Sequence, residues 1–285
     1  MSVVVLGGAR AGSPATASGR PPVAIVAAHP DDETIGASAL LLRSPGAAVI
    51  HLTDGAPRDR AFWTVKTDAS RDEYATRRRL ELRRAMRIAG VPEERQLRLA
   101  AVDQEAALAL VPLARALAEL LVDLRPRRIV THAYEGGHPD HDAAAFVARG
   151  AIALLRQSGA EAPRLFEMTS YHASSGGALA TCEYLDARAG PVHTRVLSAV
   201  ERRAKDEMLA AYESQRDVIA WFPRELERLR RAPRCDFGRP PHEGVLWYER
   251  MGFPIDGARW RELARDASTR LERERLEPRG RGVGA

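Results

Sequence analysis

The chain of 285 residues is 45% hydrophobic and 28% charged, with a formal net charge of +5, the balance of a folded globular protein and not of a disordered or collagen-like one. No apolar run approaches the roughly 18–20 residues of a membrane span, and two cysteines far apart, Cys182 and Cys235, make no disulfide framework or metal-type spacing. The basic surplus is arginine spread over several segments and interleaved with acids, so it reads as a solvated surface and no nucleic-acid partner is expected. Residues 1–20 begin with a short Val3-Val4-Val5-Leu6 run and continue as a Gly/Ala/Ser/Pro stretch. They lack the basic start and long apolar middle of a signal peptide, so they read as a flexible N-terminal segment of a cytoplasmic protein.

The run Val23-Ala24-Ile25-Val26-Ala27-Ala28 is unbroken by polar residues, as in a strand buried on both faces of a parallel sheet. It leads directly into His29-Pro30-Asp31-Asp32-Glu33, and Thr34 to Leu42 then reads as a helix. Three acids within three positions repel one another unless a cation or a shared proton holds them. A neutral imidazole and a carboxylate suit zinc. A neighbouring carboxylate that does not bind the metal can take a proton from an activated water. The bland alternative is a solvated acidic turn with a helix cap, and one loop alone supplies too few ligands.

Ala47 to Thr53 reads as a second buried strand ending at the Asp54-Gly55 turn, with His51 as a satisfied core histidine. The polar stretch over residues 56–70, with Phe62 and Trp63 inside it, leaves the carboxyl end of that strand and is placed to overhang a site there. A helix is expected over Asp72–Ala89, a strand over Leu97–Val102, a helix over Pro112–Leu124 and a strand over Arg127–His132. This alternation predicts an α/β, Rossmann-like, mostly parallel sheet with helices on both faces and the active site at the carboxyl ends of the strands. The fourth strand runs into Glu135-Gly136-Gly137-His138-Pro139-Asp140-His141-Asp142, ahead of a helix over Ala143–Arg156. Here one histidine can ligate while the other points at substrate. Later strands are expected over 164–171 and 182–185, and helices over 197–219 and 260–276. With no repeat or linker evident, residues 21–277 read as a single domain and 278–285 as a frayed tail.

His29-Pro30-Asp31-Asp32 together with His138-Pro139-Asp140-His141 resembles the PIG-L (LmbE-like) family of zinc-dependent N-deacetylases, over roughly residues 22–220. Individually weaker matches are Thr53-Asp54-Gly55, Arg78 with Glu81, Asp103, and Tyr212-Glu213-Ser214-Gln215. The resemblance implies His29, Asp32 and His141 as metal ligands and Asp31 as general base. It implies His138 as the group that stabilises the oxyanion or protonates the leaving amine, and Arg78 and Asp103 as substrate-binding residues. Some members carry a tyrosine two residues before the first histidine of the second motif; here that position is Gly136, and Tyr134 is out of register.

Two histidines and one carboxylate leave a zinc coordination position open for water, and the same set can hold iron(II), so Zn2+ is expected with Fe2+ as the alternative. Glu33, Asp140 and Asp142 are expected to orient imidazoles or cap helices. The reading is a hydrolase removing an N-acetyl or small N-acyl group from an amino-sugar-like small molecule. Its rivals are an amide hydrolase for a non-sugar conjugate and a non-catalytic sugar-binding module. Assembly as a homo-oligomer is compatible with the sequence.

Overall fold

The computed structural model describes residues 19–186 and 190–273. Most of the expected N-terminal segment and all of the expected C-terminal tail lie outside the described residues. In chain order the elements are β1 (Ala24–Ala27), α1 (Asp32–Leu42), β2 (Ala48–Thr53), α2 (Arg71–Ala89), β3 (Gln96–Ala101), α3 (Leu110–Leu124), β4 (Arg128–His132) and α4 (Pro139–Gln157). There follow β5 (Arg164–Met168), β6 (Tyr171–Ala173), β7 (Leu179–Thr181), β8 (Val192–Val196), α5 (Ala199–Ala210), α6 (Arg216–Ile219), β9 (Leu226–Arg231), α7 (Trp247–Arg250) and α8 (Gly257–Arg273).

Among the described residues, seven strands form one sheet in the order β3-β2-β1-β4-β5-β9-β8, with β6 and β7 as a separate hairpin. The first five of these strands run parallel, and β9 and β8 are antiparallel additions. Two apolar layers sandwich the sheet. Ala24, Val26 and Ala28 point into one with Ile50, Leu52 and residues of α3, α4 and α8. Val23, Ile25 and Ala27 point into the other with Val49, Leu41, Leu82 and Leu209. A strand covered on both sides must be apolar at every position, which is why β1 and β2 lack polar alternation.

The strand order reverses between β1 and β4: the chain moves outward through β2 and β3, then returns to the other side of β1. Such a reversal opens a crevice at the carboxyl ends of the two flanking strands. Here those ends carry the His29–Glu33 and His132–Asp142 segments.

Several expected boundaries shift for physical reasons. Helix α4 begins at Pro139, not Ala143, because Pro suits the first helical position and His138 caps it, its Nδ1 accepting from the Asp140 N–H at 3.1 Å. The expected helix over 197–219 stops at Ala210. Tyr212 then turns inward to donate to Glu33, and Glu81 accepts from the Ser214 N–H, ahead of a 3-10 turn over Glu213–Gln215 and the short α6. The stretch 182–185 is not a strand; β7 ends at Thr181 and Cys182 follows with φ +58°. The sequence pattern predicts neither β8 nor β9.

Candidate active site

Asp31 sits in the turn between β1 and α1 with φ +136°, a conformation that costs a non-glycine residue energy and persists only where its surroundings enforce it. Glu33, fully buried, supplies much of that enforcement. Its Oε2 accepts from the Asp31 N–H at 3.1 Å and lies 2.9 Å from His51 Nε2. Its Oε1 accepts from Thr34 Oγ1 at 2.6 Å and Tyr212 Oη at 2.5 Å. His51 is therefore a core histidine spoken for by Glu33. From the other side, Arg78 of α2 donates to the Pro30 carbonyl at 2.7 Å and to Asp31 Oδ2 at 3.3 Å.

Asp32 is the meeting point of the two motifs. Its Oδ2 accepts from the His29 N–H at 2.8 Å and lies 3.4 Å from His29 Nδ1, while its Oδ1 lies 3.2 Å from His141 Nε2. The outer nitrogens of both rings are occupied: His29 Nε2 faces Asp103 at 3.1 Å and Asp140 at 3.3 Å, and His141 Nδ1 faces Ser170 Oγ at 3.1 Å. Each imidazole thus has its outer N–H engaged and its inner lone pair turned toward Asp32, the arrangement by which neighbouring groups fix metal-ligating histidines.

Tetrahedral bonds of about 2.0–2.2 Å place donors roughly 3.3–3.6 Å apart; the contacts of 3.4 and 3.2 Å at Asp32 run to different oxygens, Oδ2 for His29 and Oδ1 for His141, and no single donor group below joins His29, Asp32 and His141. Three overlapping donor groups have ligand atoms within 4.8 Å of one another: His29, His138 and His141; Asp32, His132 and His141; and His29, Asp103 and Asp140. His132 Nε2 accepts from the Ala28 N–H at 3.2 Å, and its ring stacks on His141 at 4.0 Å. The same Nε2 lies 3.3 Å from Asp32 Oδ2, so His132 backs both His141 and the carboxylate at which the two motifs meet. Asp140 accepts from the N–H groups of Gln104 and Ala106, so its carboxylate ties the loop after β3 to His29.

The electrostatics separate the groups. Burial pushes the Asp31 carboxyl up to about 8, against the pull of Arg78. Burial also raises Asp32, but His141 and His132 outweigh it and hold this carboxyl well below the usual range. Burial, then the neighbouring His29 and His141, hold His138 well below the ordinary imidazole value. Because His138 Nδ1 accepts a backbone N–H, its neutral ring carries the proton on Nε2, on the side of Asp103 Oδ1 at 4.0 Å.

All seven residues singled out in the sequence, His29, Asp31, Asp32, Arg78, Asp103, His138 and His141, line one cavity of about 360 Å³. The loop over 56–70 forms one wall through Phe62, Trp63 and Thr64, and Tyr171, Trp221, Phe222, Trp247 and Phe253 form others. Those later aromatics and Ser170 escaped the sequence reading. The only available signal for the aromatics was the clustering of Trp221-Phe222 and of Trp247 with Phe253 in otherwise polar stretches.

Asp142 orients no imidazole; its Oδ1 caps the loop by accepting from the N–H groups of Glu135 and Gly136. Gly136 adopts φ +71°, a conformation any side chain would hold only under strain, and a Cβ there would press on Leu246 Cδ2 at 2.8 Å, so a tyrosine is disfavoured at this position. Tyr134 donates to the Arg239 carbonyl and packs against Trp260, and His242 bonds its neighbour's carbonyl; neither lines the cavity.

Residues 24–152 match the family model described as PIG-L: GlcNAc-PI de-N-acetylase. A curated relative, 1D-myo-inositol 2-acetamido-2-deoxy-alpha-D-glucopyranoside deacetylase 2 of Catenulispora acidiphila, is 32% identical over 158 residues, 47% of this chain and 52% of the relative. The match thus spans about half the relative's length. Among solved structures, a conserved protein of Thermus thermophilus aligns at 22% identity with a TM-score of 0.50, covering 76% of this chain and 97% of that one. A deacetylase of the teicoplanin biosynthesis pathway, solved with teicoplanin, aligns at 15% identity with a TM-score of 0.51, covering 75% of this chain and 99% of that one. At these identities the structural likenesses show the shared fold. No helix among the described residues is long and apolar enough to cross a membrane.

Proposed function

Because residues 24–152 match the PIG-L family model, we propose that the chain is a metal-dependent N-deacetylase, a hydrolase that removes an acetyl or small acyl group from the nitrogen of an amino-sugar-like molecule. One observation carries the reading. Two loops distant in sequence converge at Asp32, which brings the inner nitrogens of His29 and His141 to 3.4 and 3.2 Å of its carboxylate, with Asp31 and His138 on the same cavity. The relative's name, which specifies a 2-acetamido sugar, supports an acetamido group as the bond cleaved. We read residues 21–277 as one working unit.

In this proposal His29, Asp32 and His141 would hold zinc, with iron(II) as the alternative for a two-histidine, one-carboxylate set. A cation held there supplies Lewis acidity toward the amide carbonyl and its attacking water. Asp31, whose buried carboxyl a cation beside it would draw back toward its ionised form, would accept the water's proton as attack begins and is the group from which that proton can pass to the departing nitrogen. Arg78 keeps the Asp31 carboxylate aimed by gripping both its side chain and the preceding carbonyl. His138, with its proton on Nε2, donates toward the developing oxyanion. Asp103 orients His29 and presents a carboxylate oxygen to the cavity for a substrate hydroxyl.

The test is acetate release from N-acetylglucosaminyl compounds by purified protein, with and without chelator. Chelator-sensitive release that returns on adding zinc is the expected result. Release that a chelator leaves intact would count against the metal role, and binding of acetamido sugars without turnover would favour a sugar-binding module.

A further inference from the structure

The catalytic cluster occupies only the floor of the cavity, and the walls above it have a different chemistry. On the side of the 57–64 loop the polar atoms are already used. Trp63 Nε1 donates to the Pro57 carbonyl at 2.9 Å, Thr64 Oγ1 donates to the Ser214 carbonyl, and Gln215 Nε2 donates to Thr64 Oγ1 and Tyr74 Oη. What these groups leave facing the cavity is ring face and hydrocarbon. Phe62 stacks on Phe253 at 5.0 Å and 26°, joining this loop to the segment after α7, and Phe253 in turn lies edge-on to His138 at 4.7 Å. A second aromatic group in the lining is Tyr171 with Trp221 and Phe222.

At the mouth the apolar surface is left open to water. Trp221 is 38% exposed and Met251 44% exposed, and both line the cavity. A polyol wholly enclosed here would find hydrogen-bonding partners at the floor, chiefly Arg78, Asp103 and His138, and beyond them Gln104, Gln215 and the exposed Asp217, while most of the wall residues are aromatic or aliphatic. Burying its hydroxyls against rings without partners would be unfavourable. An amide with an apolar extension meets matching chemistry at both levels.

We propose that the substrate carries, beyond its scissile amide, an apolar alkyl or aryl body that lies among Trp221, Phe222, Phe62, Met251 and Phe253. The proposal deepens the deacetylase reading and rests on it for the identity of the bond at the floor. The apolar body belongs either to the acyl group or to the aglycone of the amine, and the wall chemistry is the same for both.

Two series of substrates separate the sources. In the first, the acyl group of N-acylglucosamine is lengthened from acetyl to hexanoyl. In the second, N-acetylglucosamine is compared with its methyl, phenyl and 4-methylumbelliferyl β-glycosides. One series is expected to show kcat/KM rising by up to about fourfold per added methylene, the value of burying that group. The gain should be reduced in Trp221→Ala and in Met251→Ser. Turnover with no preference in either series would overturn the apolar subsite while leaving the deacetylase reading standing. In parallel, calorimetry would compare phenyl β-glucosaminide with glucosamine. Tighter binding of the phenyl compound with a more negative heat-capacity change, weakened by Trp221→Ala, is expected even if no amide is cleaved, in which case only the deacetylase reading fails. Equal binding of the two amines together with flat kinetics refutes the subsite.

Discussion

Asp31→Asn is the substitution that most directly separates the role of a base from that of a ligand. Asparagine has nearly the same shape, keeps the backbone N–H that Glu33 accepts at 3.1 Å, and retains an oxygen for Arg78, which now lies 3.3 Å from Oδ2. The groups assigned to the cation are untouched, because Asp32 contacts His29 and His141 through its own carboxylate. Only the capacity to accept a proton is removed. General-base assistance of this kind is worth about 10²–10⁴-fold, or roughly 3–5 kcal/mol of transition-state stabilisation. The expected result is a fall of that size in kcat with KM little changed, while elemental analysis finds metal content equal to the parent protein. Asp32→Asn should behave in the opposite way and lose metal first. Retention of more than about a tenth of the activity by Asp31→Asn, or loss of its metal, would refute the assignment of Asp31 as base.

Metal removal should also register in stability. At a free metal concentration about 100-fold above its Kd, binding contributes about 2.7 kcal/mol, or roughly 5–10 °C in Tm for a domain of this size; an unchanged midpoint after dialysis against dipicolinate would exclude a tight site. Tyr212→Phe deletes the 2.5 Å donor to the buried Glu33 carboxylate and should cost about 1–3 kcal/mol, read as a lower midpoint in urea. Glu33→Ala should cost more, because it also strips the acceptor from Asp31, Thr34 and His51. In Gly137→Ala the new Cβ would lie 1.9 Å from the Tyr171 carbonyl oxygen, a backbone atom with no easy retreat. Loss of folded protein or of most activity is expected, and a stable, fully active variant would show that the second motif and β6 are not packed as closely as described.

The parallel half of the fold was legible because a strand buried on both faces leaves an unbroken apolar run, as Val23–Ala28 does. Strands β8 and β9 left no such trace. The β9 sequence Leu226-Glu227-Arg228-Leu229-Arg230-Arg231 is mostly charged, and its two buried residues are charged ones held by partners that a local pattern cannot contain: Glu227 with Lys205 at 3.1 Å and Arg230 with Glu167 at 2.9 Å. The break after Ala210 was hidden for the same reason, since Tyr212 and Ser214 bond to Glu33 and Glu81 far away in the chain. At the site, the motifs supplied the residues of the floor. Ser170, which fixes His141, sits in no motif, and the aromatic walls come from separate segments that meet only in the folded chain.

The three consecutive acids Asp31, Asp32 and Glu33 raise an electrostatic difficulty that the fold resolves by sending each carboxylate in a different direction. Asp31 faces Arg78, Asp32 faces His141 and His132, and Glu33 turns under the sheet edge to His51, Thr34 and Tyr212. Such divergence within three residues requires an unusual backbone, and Asp31 at φ +136° is where it is taken up. Strain of this kind costs on the order of 1–3 kcal/mol, comparable to the few charge-assisted hydrogen bonds that oppose it. Those bonds come from α2, β2 and the turn after α5, none of which belongs to either motif. The position of Asp31 is therefore a property of the parallel half of the molecule together with the turn after α5. The His-Pro-Asp-Asp segment placed on a sheet lacking counterparts of Arg78, His51 and Tyr212 would relax to an ordinary acidic turn, with its carboxylates repelling one another and Asp31 no longer aimed at the cavity.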